Sequence, residues 1–141
     1  MAQSDDVLPV YNRLPLKPKR GEGVYFFTEN GQKYMDFTAG IGVLALGYSH
    51  PKLVQVMREQ ADQLWHVSNQ FEIDGLDELA ATLRSVSKFA DKVFIANSGG
   101  EANELALKMM RKYQHGVGHP ERHRVISFEG CFHGRTLATI F

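Results

Sequence analysis

The sequence has one cysteine, Cys131. A lone thiol closes no intramolecular disulfide, and such cysteine usage fits a reducing, cytoplasmic setting. Neither sign of charge is in excess: 16 basic residues face 16 acidic ones, so composition gives no hint of nucleic acid or of an anionic membrane. No apolar run approaches the roughly 18 residues of a membrane-spanning helix. Met1-Ala2-Gln3-Ser4-Asp5-Asp6 carries acids where a secretory signal carries bases, and no apolar core follows it. Repeats, low-complexity tracts and a Walker loop are missing. A dinucleotide fingerprint fails too, because Gly40 and Gly42 are followed by Ala45 where a third glycine is required. What remains is a soluble protein of 141 residues, expected to bury roughly 68% of its unfolded surface.

Residues 7–20 contain Pro9, Pro15 and Pro18 and read as an extended lead-in, not a regular element. After Gly21-Glu22-Gly23, the runs Val24–Phe27 and Gln32–Phe37 flank Asn30-Gly31, a strong hairpin signal. Thr38 to His50 interleaves Gly40, Gly42 and Gly47 with Ile41, Val43, Leu44 and Leu46. That mixture is too glycine-rich for a helix and too apolar for an exposed loop, so a buried loop at a domain or subunit boundary is expected. Pro51 suits a helix start, and Leu53, Val54, Met57, Ala61, Leu64 and Trp65 form an apolar stripe that reads as core. A second helix is predicted from about Asp74 to Ser87, with Leu76, Leu79, Ala80, Leu83 and Val86 inward.

The most informative stretch is Lys92 to Lys108. Val93–Ala96 is long enough for one buried strand, Asn97-Ser98-Gly99-Gly100 forms a turn, and helical spacing follows. Ala102, Leu105, Ala106, Met109 and Tyr113 share the expected inner face, and Glu104 with Lys108 forms an expected ion pair. A helix start leaves backbone N–H groups unpaired and carries about half a positive charge. Small residues there let an anion reach the backbone, so phosphate at Ser98, Gly99 and Gly100 is one reading. The other is a simple cap, with Ser98 or Asn97 as N-cap. Arg124–Phe128 is predicted as the next strand, completing a strand–helix–strand crossover.

Three histidines, His115, His119 and His123, lie four apart. Gly116, Gly118 and Pro120 interrupt any helix between them, which favours a solvated loop over a metal site. Cys131 and His133 invite a nucleophile–base reading. No third orienting group accompanies them, and a small buried cysteine is favoured.

Several of these strings together resemble the class-III aminotransferases of fold type I that depend on pyridoxal phosphate. The resemblance is to the subgroup handling ornithine and its N-acyl derivatives. It runs from about Leu8 to Phe141 through Arg20-Gly21-Glu22-Gly23, Asp36-Phe37, His50-Pro51, Trp65-His66-Val67-Ser68-Asn69, Asn97–Glu104 and Phe132-His133-Gly134-Arg135-Thr136. Gly100 stands where the family usually has Ala. The resemblance implies an α/β fold in which residues 1–70 form an N-terminal segment and part of the small domain. Residues 71–141 would begin the large, mostly parallel-sheet domain that binds pyridoxal 5'-phosphate. It also implies that Ser98, Gly99 and Gly100 cup the phosphate, that Phe132 stacks on the cofactor ring, and that Arg135 grips a substrate α-carboxylate. An aromatic suits a pyridine ring, and an arginine fork suits a carboxylate.

The implied partners are an acylated ornithine, 2-oxoglutarate or glutamate, and a second copy of the chain, met along the Asp36–Ile41 stretch. The family's Schiff-base lysine matches none of Lys17, Lys19, Lys33, Lys52, Lys88, Lys92, Lys108 or Lys112. An N-terminal part of an aminotransferase, inactive alone, is therefore expected. Ornithine- or 4-aminobutyrate-type transamination is the nearest alternative. A non-catalytic chain pairing with a full-length subunit through the Gly40–Gly47 loop is the alternative from another class.

Overall fold

The computed structural model describes residues 6–140; most of the acidic N-terminal stretch lies outside them. The chain divides into two compact units, Met1–Phe71 and Glu72–Phe141.

The first unit is built on an antiparallel meander of β1 (Pro18–Glu22), β2 (Tyr25–Thr28) and β3 (Lys33–Met35), in that order. The hairpin expected at Asn30-Gly31 forms as a three-residue loop. The Thr28 carbonyl accepts from the Gly31 N–H at 3.0 Å and Thr28 N–H donates to the Gln32 carbonyl at 2.9 Å. Gly31 takes φ 82°, the left-handed position such a loop reserves for glycine. The lead-in ends differently from expectation: Pro18 opens a real strand. Strand β1 is an edge, and a proline at the first residue of an edge strand removes no needed donor. Phe26 stacks on Tyr34 at 5.2 Å. Arg20 lies over Phe27 at 4.0 Å and Lys33 over Tyr25 at 3.8 Å, so cations cover aromatics that would otherwise be bare.

Beyond the meander the backbone turns left-handed. In α1 (Ala39–Gly42), a single turn, φ is positive at all four residues: 46°, 62°, 65° and 79°. For Ala39 and Ile41 this costs about 1–2 kcal/mol each. The Asp36 carboxylate holds the turn. Its Oδ1 accepts from Thr38 N–H at 2.7 Å, the Thr38 hydroxyl at 2.6 Å and Ala39 N–H at 3.1 Å, while Oδ2 accepts the Tyr48 hydroxyl at 2.6 Å. Gly23 and Tyr48 exchange backbone hydrogen bonds of 3.0 and 2.7 Å. This close approach admits no side chain: a Cβ on Gly47 would fall 2.5 Å from the Gly23 carbonyl oxygen. The loop is not buried as expected, with Ile41 92% and Val43 77% exposed.

Helix α2 (Pro51–Ala61) starts at Pro51 with His50 as N-cap, as the proline predicts. It stops short of the Trp65 motif. The Trp65 indole instead donates to the Ala61 carbonyl at 2.7 Å, satisfying one carbonyl that every helix end leaves open. None of its residues is buried, and Met57 and Trp65 are largely exposed, which corrects the core reading of this stripe.

In the second unit α3 (Leu76–Val86) precedes α4 (Gly99–Gly116). The expected strands Val93–Ala96 and Arg124–Phe128 are not formed; the only sheet among the described residues is the meander. A strand exists by pairing, and neither segment meets a partner. The anticipated parallel crossover is therefore absent from the described residues. Helix α4 also presents a different face from the one expected. Leu107 is its one buried residue and Asn103 is half-buried beside it, whereas Met109 and Tyr113 are exposed.

The exposed area of the chain, 13412 Å², quantifies this. Two separate bodies of half its mass would together expose roughly 8,900 Å² by the usual scaling. The expectation of burial typical of a whole domain is therefore not met.

The Asp36 latch yields two predictions. Hydrogen bonds from the Thr38 hydroxyl, the Tyr48 hydroxyl and the Thr38 N–H lower the Asp36 carboxyl from 3.8 to about 2. A lowered carboxyl stabilises at pH above its unfolded value, and that contribution is lost as pH falls through the folded one. Tyr48 side-chain and Thr38 amide NMR signals should thus hold steady from pH 7 to pH 4 and move between about pH 4 and pH 2, and Asp36→Asn should abolish that transition. Second, Gly47→Ala should release the Gly23–Tyr48 pair, seen as faster exchange of both amides. Gly42→Ala, where a Cβ meets nothing but an L-residue must hold φ 79°, carries only that backbone strain and should speed the exchange less.

Candidate functional site

The chemistry-bearing residues of the second unit gather at the N-terminus of α4. Ser98 is the N-cap, in extended backbone, and its Oγ accepts from the Glu101 N–H at 3.2 Å. In return, Glu101 Oε2 accepts from the Asn97 N–H at 2.8 Å and from the Ser98 hydroxyl at 3.3 Å. This is a capping box, and its Ser-x-x-Glu spacing stood in the sequence without being singled out there.

The cap expected at this turn is present. Ser98 caps the helix, and its hydroxyl proton is already committed to Glu101. The Gly99 and Gly100 N–H groups have no hydrogen-bond partner among the described residues. A Cβ at Gly99 would meet nothing within 4 Å, and one at Gly100 would touch only Ser98 Oγ at 3.8 Å and Gly134 Cα at 3.9 Å. The two donors are thus unshielded and lie at the positive end of an 18-residue helix. A phosphate fits these groups; Glu101, an acid in the first turn, competes with it electrostatically.

The Phe132–Thr139 segment lies against this helix end. Gly134 approaches so closely that a Cβ on it would sit 3.1 Å from Gly100 Cα and 2.5 Å from Thr139 Oγ1. Asn103 donates its amide to the His133 carbonyl at 2.6 Å. The Thr136 hydroxyl donates to Glu104, and Thr136 N–H donates to Thr139 Oγ1 at 3.0 Å. Thr139 is only 2% exposed. Glu104 is thereby recruited to the loop; among the described residues it makes no ion pair with Lys108, contrary to expectation.

The predicted site residues Ser98, Gly99, Gly100, Phe132 and Arg135 fall within this one unit. The Arg135 guanidinium lies over the Phe132 ring at 5.1 Å, and a ring covered on one face by a cation keeps the other for stacking. Phe132 is largely exposed. Cys131 is exposed, not buried as expected. His119 sits 3.3 Å from Glu121 in the turn beyond α4, which ends at Gly116. Sequence reasoning assigned Asn103 and Glu104 no part in the site, since their partners His133 and Thr136 lie 30 and 32 residues away along the chain.

Comparison with known proteins gives the family. The profile of the class-III aminotransferase family matches residues 8–140. The chain is similar to the acetylornithine aminotransferase of Brucella melitensis, 56% identical over 130 residues, covering 92% of this chain and 32% of the relative. Its structure is similar to that of N-acetylornithine aminotransferase from Stenotrophomonas maltophilia, with TM-score 0.80 and 44% identity over 88% of this chain and 34% of that one. The omega transaminase from Pseudomonas jessenii in complex with PMP is also similar, with TM-score 0.81 and 33% identity over 89% of this chain and 28% of that one. The chain spans about a third of the length of the curated relatives it matches. With its family profile matched along nearly its whole length, the chain belongs to the class-III aminotransferases.

Proposed function

We propose that this chain is the N-terminal part of a fold-type-I aminotransferase that uses pyridoxal 5'-phosphate and transfers the δ-amino group of N2-acetylornithine, or of the N-succinyl analogue, to 2-oxoglutarate in arginine metabolism. The observation that carries this reading is the pair of unshielded N–H groups at Gly99 and Gly100 beside the Phe132–Arg135 segment. In this reading Ser98, Gly99 and Gly100 hold the phosphate, Phe132 covers the cofactor ring and Arg135 binds the substrate α-carboxylate. Residues 1–70 belong with the small domain and residues 71–141 begin the large one. The enzyme works as a cytoplasmic homodimer, and the Schiff-base lysine comes from the part of the relatives that this chain does not span. When bound, pyridoxal phosphate supplies an electron sink for moving an amino group between carbon skeletons.

The chain's own residues set what it does alone. Two charge-assisted hydrogen bonds from Gly99 and Gly100 give about 3–6 kcal/mol of gross phosphate binding. Association costs at least ~4 kcal/mol. The difference corresponds to binding no tighter than millimolar, so the isolated chain holds the cofactor feebly and transfers no amino group. A second reading, a non-catalytic chain docking on a full-length subunit through Gly40–Gly47, draws on the exposure of Ile41, Val43 and Leu46.

A chimera tests the first reading. Residues 8–140 replace the matched segment of the Brucella relative, and cofactor absorbance and transamination of N2-acetylornithine are measured. The chimera should bind cofactor and turn over, and Arg135→Ala should raise KM for the acylated ornithine at least tenfold, as expected for a lost charge-assisted fork. A cofactor-loaded chimera without this activity would overturn the proposal. In the 141-residue chain, Glu101→Gln keeps the capping acceptor and removes a like charge. It should tighten inorganic phosphate binding a few-fold, a gain on the order of 1 kcal/mol, followed through the Gly99 and Gly100 amide signals.

A further inference from the structure

We infer that Asn103 and Glu104 are positioning residues: they clamp the Phe132–Arg135 loop onto the N-terminus of α4 and so set where ring and guanidinium stand relative to the phosphate cup. The inference rests on the function proposed above and names two residues for which nothing in the motif reading had a role.

The argument begins with position. Asn103 and Glu104 lie one turn beyond Gly99 and Gly100, so helix geometry places their side chains beside the cup without blocking its N–H groups. The loop they hold has no other regular anchor, since the segment before it, Arg124–Phe128, forms no strand. The Asn103 amide reaches the His133 carbonyl at 2.6 Å, and the Glu104 carboxylate accepts the Thr136 hydroxyl. These two bonds bracket Gly134 and Arg135 from either side. Between them the backbone is pressed against Gly100, with Gly134 at φ 141° and no room for a Cβ. The buried Thr139 hydroxyl closes the network by accepting from Thr136 N–H at 3.0 Å.

Residue chemistry agrees with the geometry. A helix surface position needs no amide at 103, and Asn is a weaker helix former than Ala. Its value lies in the donor it presents to the His133 carbonyl. At 104, an ionised carboxylate makes a stronger acceptor for a hydroxyl than a neutral amide would.

The test uses the 141-residue chain and two probes, inorganic phosphate and pyridoxine 5'-phosphate, which has no aldehyde to react with surface lysines. Without any ligand, Asn103→Asp should replace the donor by a second acceptor and release the loop. Gly134 and Arg135 amides should lose their heteronuclear NOE while those of Leu105–Tyr113 keep theirs. Glu104→Ala should do the same in part, and Glu104→Gln should restore it. With ligand, inorganic phosphate should shift the Gly99 and Gly100 amides equally in parent and variant. The preference for pyridoxine 5'-phosphate over phosphate, which needs the Phe132 ring in place, should fall by roughly threefold to tenfold in Asn103→Asp. Gly134→Ala, which displaces the loop sterically, should reproduce that fall with Asn103 intact.

An ordered loop in Asn103→Asp, or an unchanged preference despite a mobile loop, would overturn the inference. Should neither probe shift the cup amides of the parent chain, the proposed function fails instead. The ligand-free NOE then still decides whether the clamp exists.

Discussion

The second unit depends on one close approach of backbone to backbone, Gly134 against Gly100 at the start of α4. It requires glycine at 134, because a Cβ there would collide with Thr139 Oγ1 and press on Gly100, whereas a Cβ on Gly100 would meet Gly134 Cα at an ordinary 3.9 Å. The consequence is that a loop bearing an aromatic ring and a guanidinium lies beside two unshielded N–H groups. Electrostatics and sterics cooperate here. The helix end supplies donors that no side chain covers, and the missing side chain of Gly134 is what lets the second segment come near.

The first unit solves a similar problem by other means. Its left-handed turn places Ala39 and Ile41 where L-residues are strained, and a single carboxylate offsets the cost with four hydrogen bonds. Those same bonds hold Asp36 ionised far into acid and push the Tyr48 hydroxyl above its ordinary value, so the latch operates across the whole neutral range. The strain is local to a loop rich in exposed apolar side chains. Conformations of this kind persist only where the surroundings over-determine them, and here the Gly23–Tyr48 pair and the Ser49–Gly21 contact do so.

Both units leave much apolar surface in water. Phe94, Ile126 and Phe128 stand exposed in segments that read as strands, as do Met109 and Tyr113 on the helix between them. The chain matches about a third of the length of its relatives, and β-prone segments without partners remain unpaired whatever their propensity.

The local chemistry was legible in the residues themselves. Pro51 started a helix, Asn30-Gly31 turned a hairpin, and Ser98-Gly99-Gly100 opened α4 with its donors bare, because each depends on backbone preferences within a few residues. The motif strings Asn97–Glu104 and Phe132–Thr136 pointed to the class-III aminotransferases, and the family comparison agrees. What hydrophobic pattern could not say is which face would be covered. The stripes on α2 and α4 are real, but burial is a property of two surfaces and the second is not among the described residues. Tertiary structure alone decided that Asn103, not Met109, faces a neighbour. It also decided that Glu104 bonds Thr136 in preference to Lys108, and that Asp36 serves as a latch. Each of these choices joins groups whose distance apart along the chain carries no information about their distance in space.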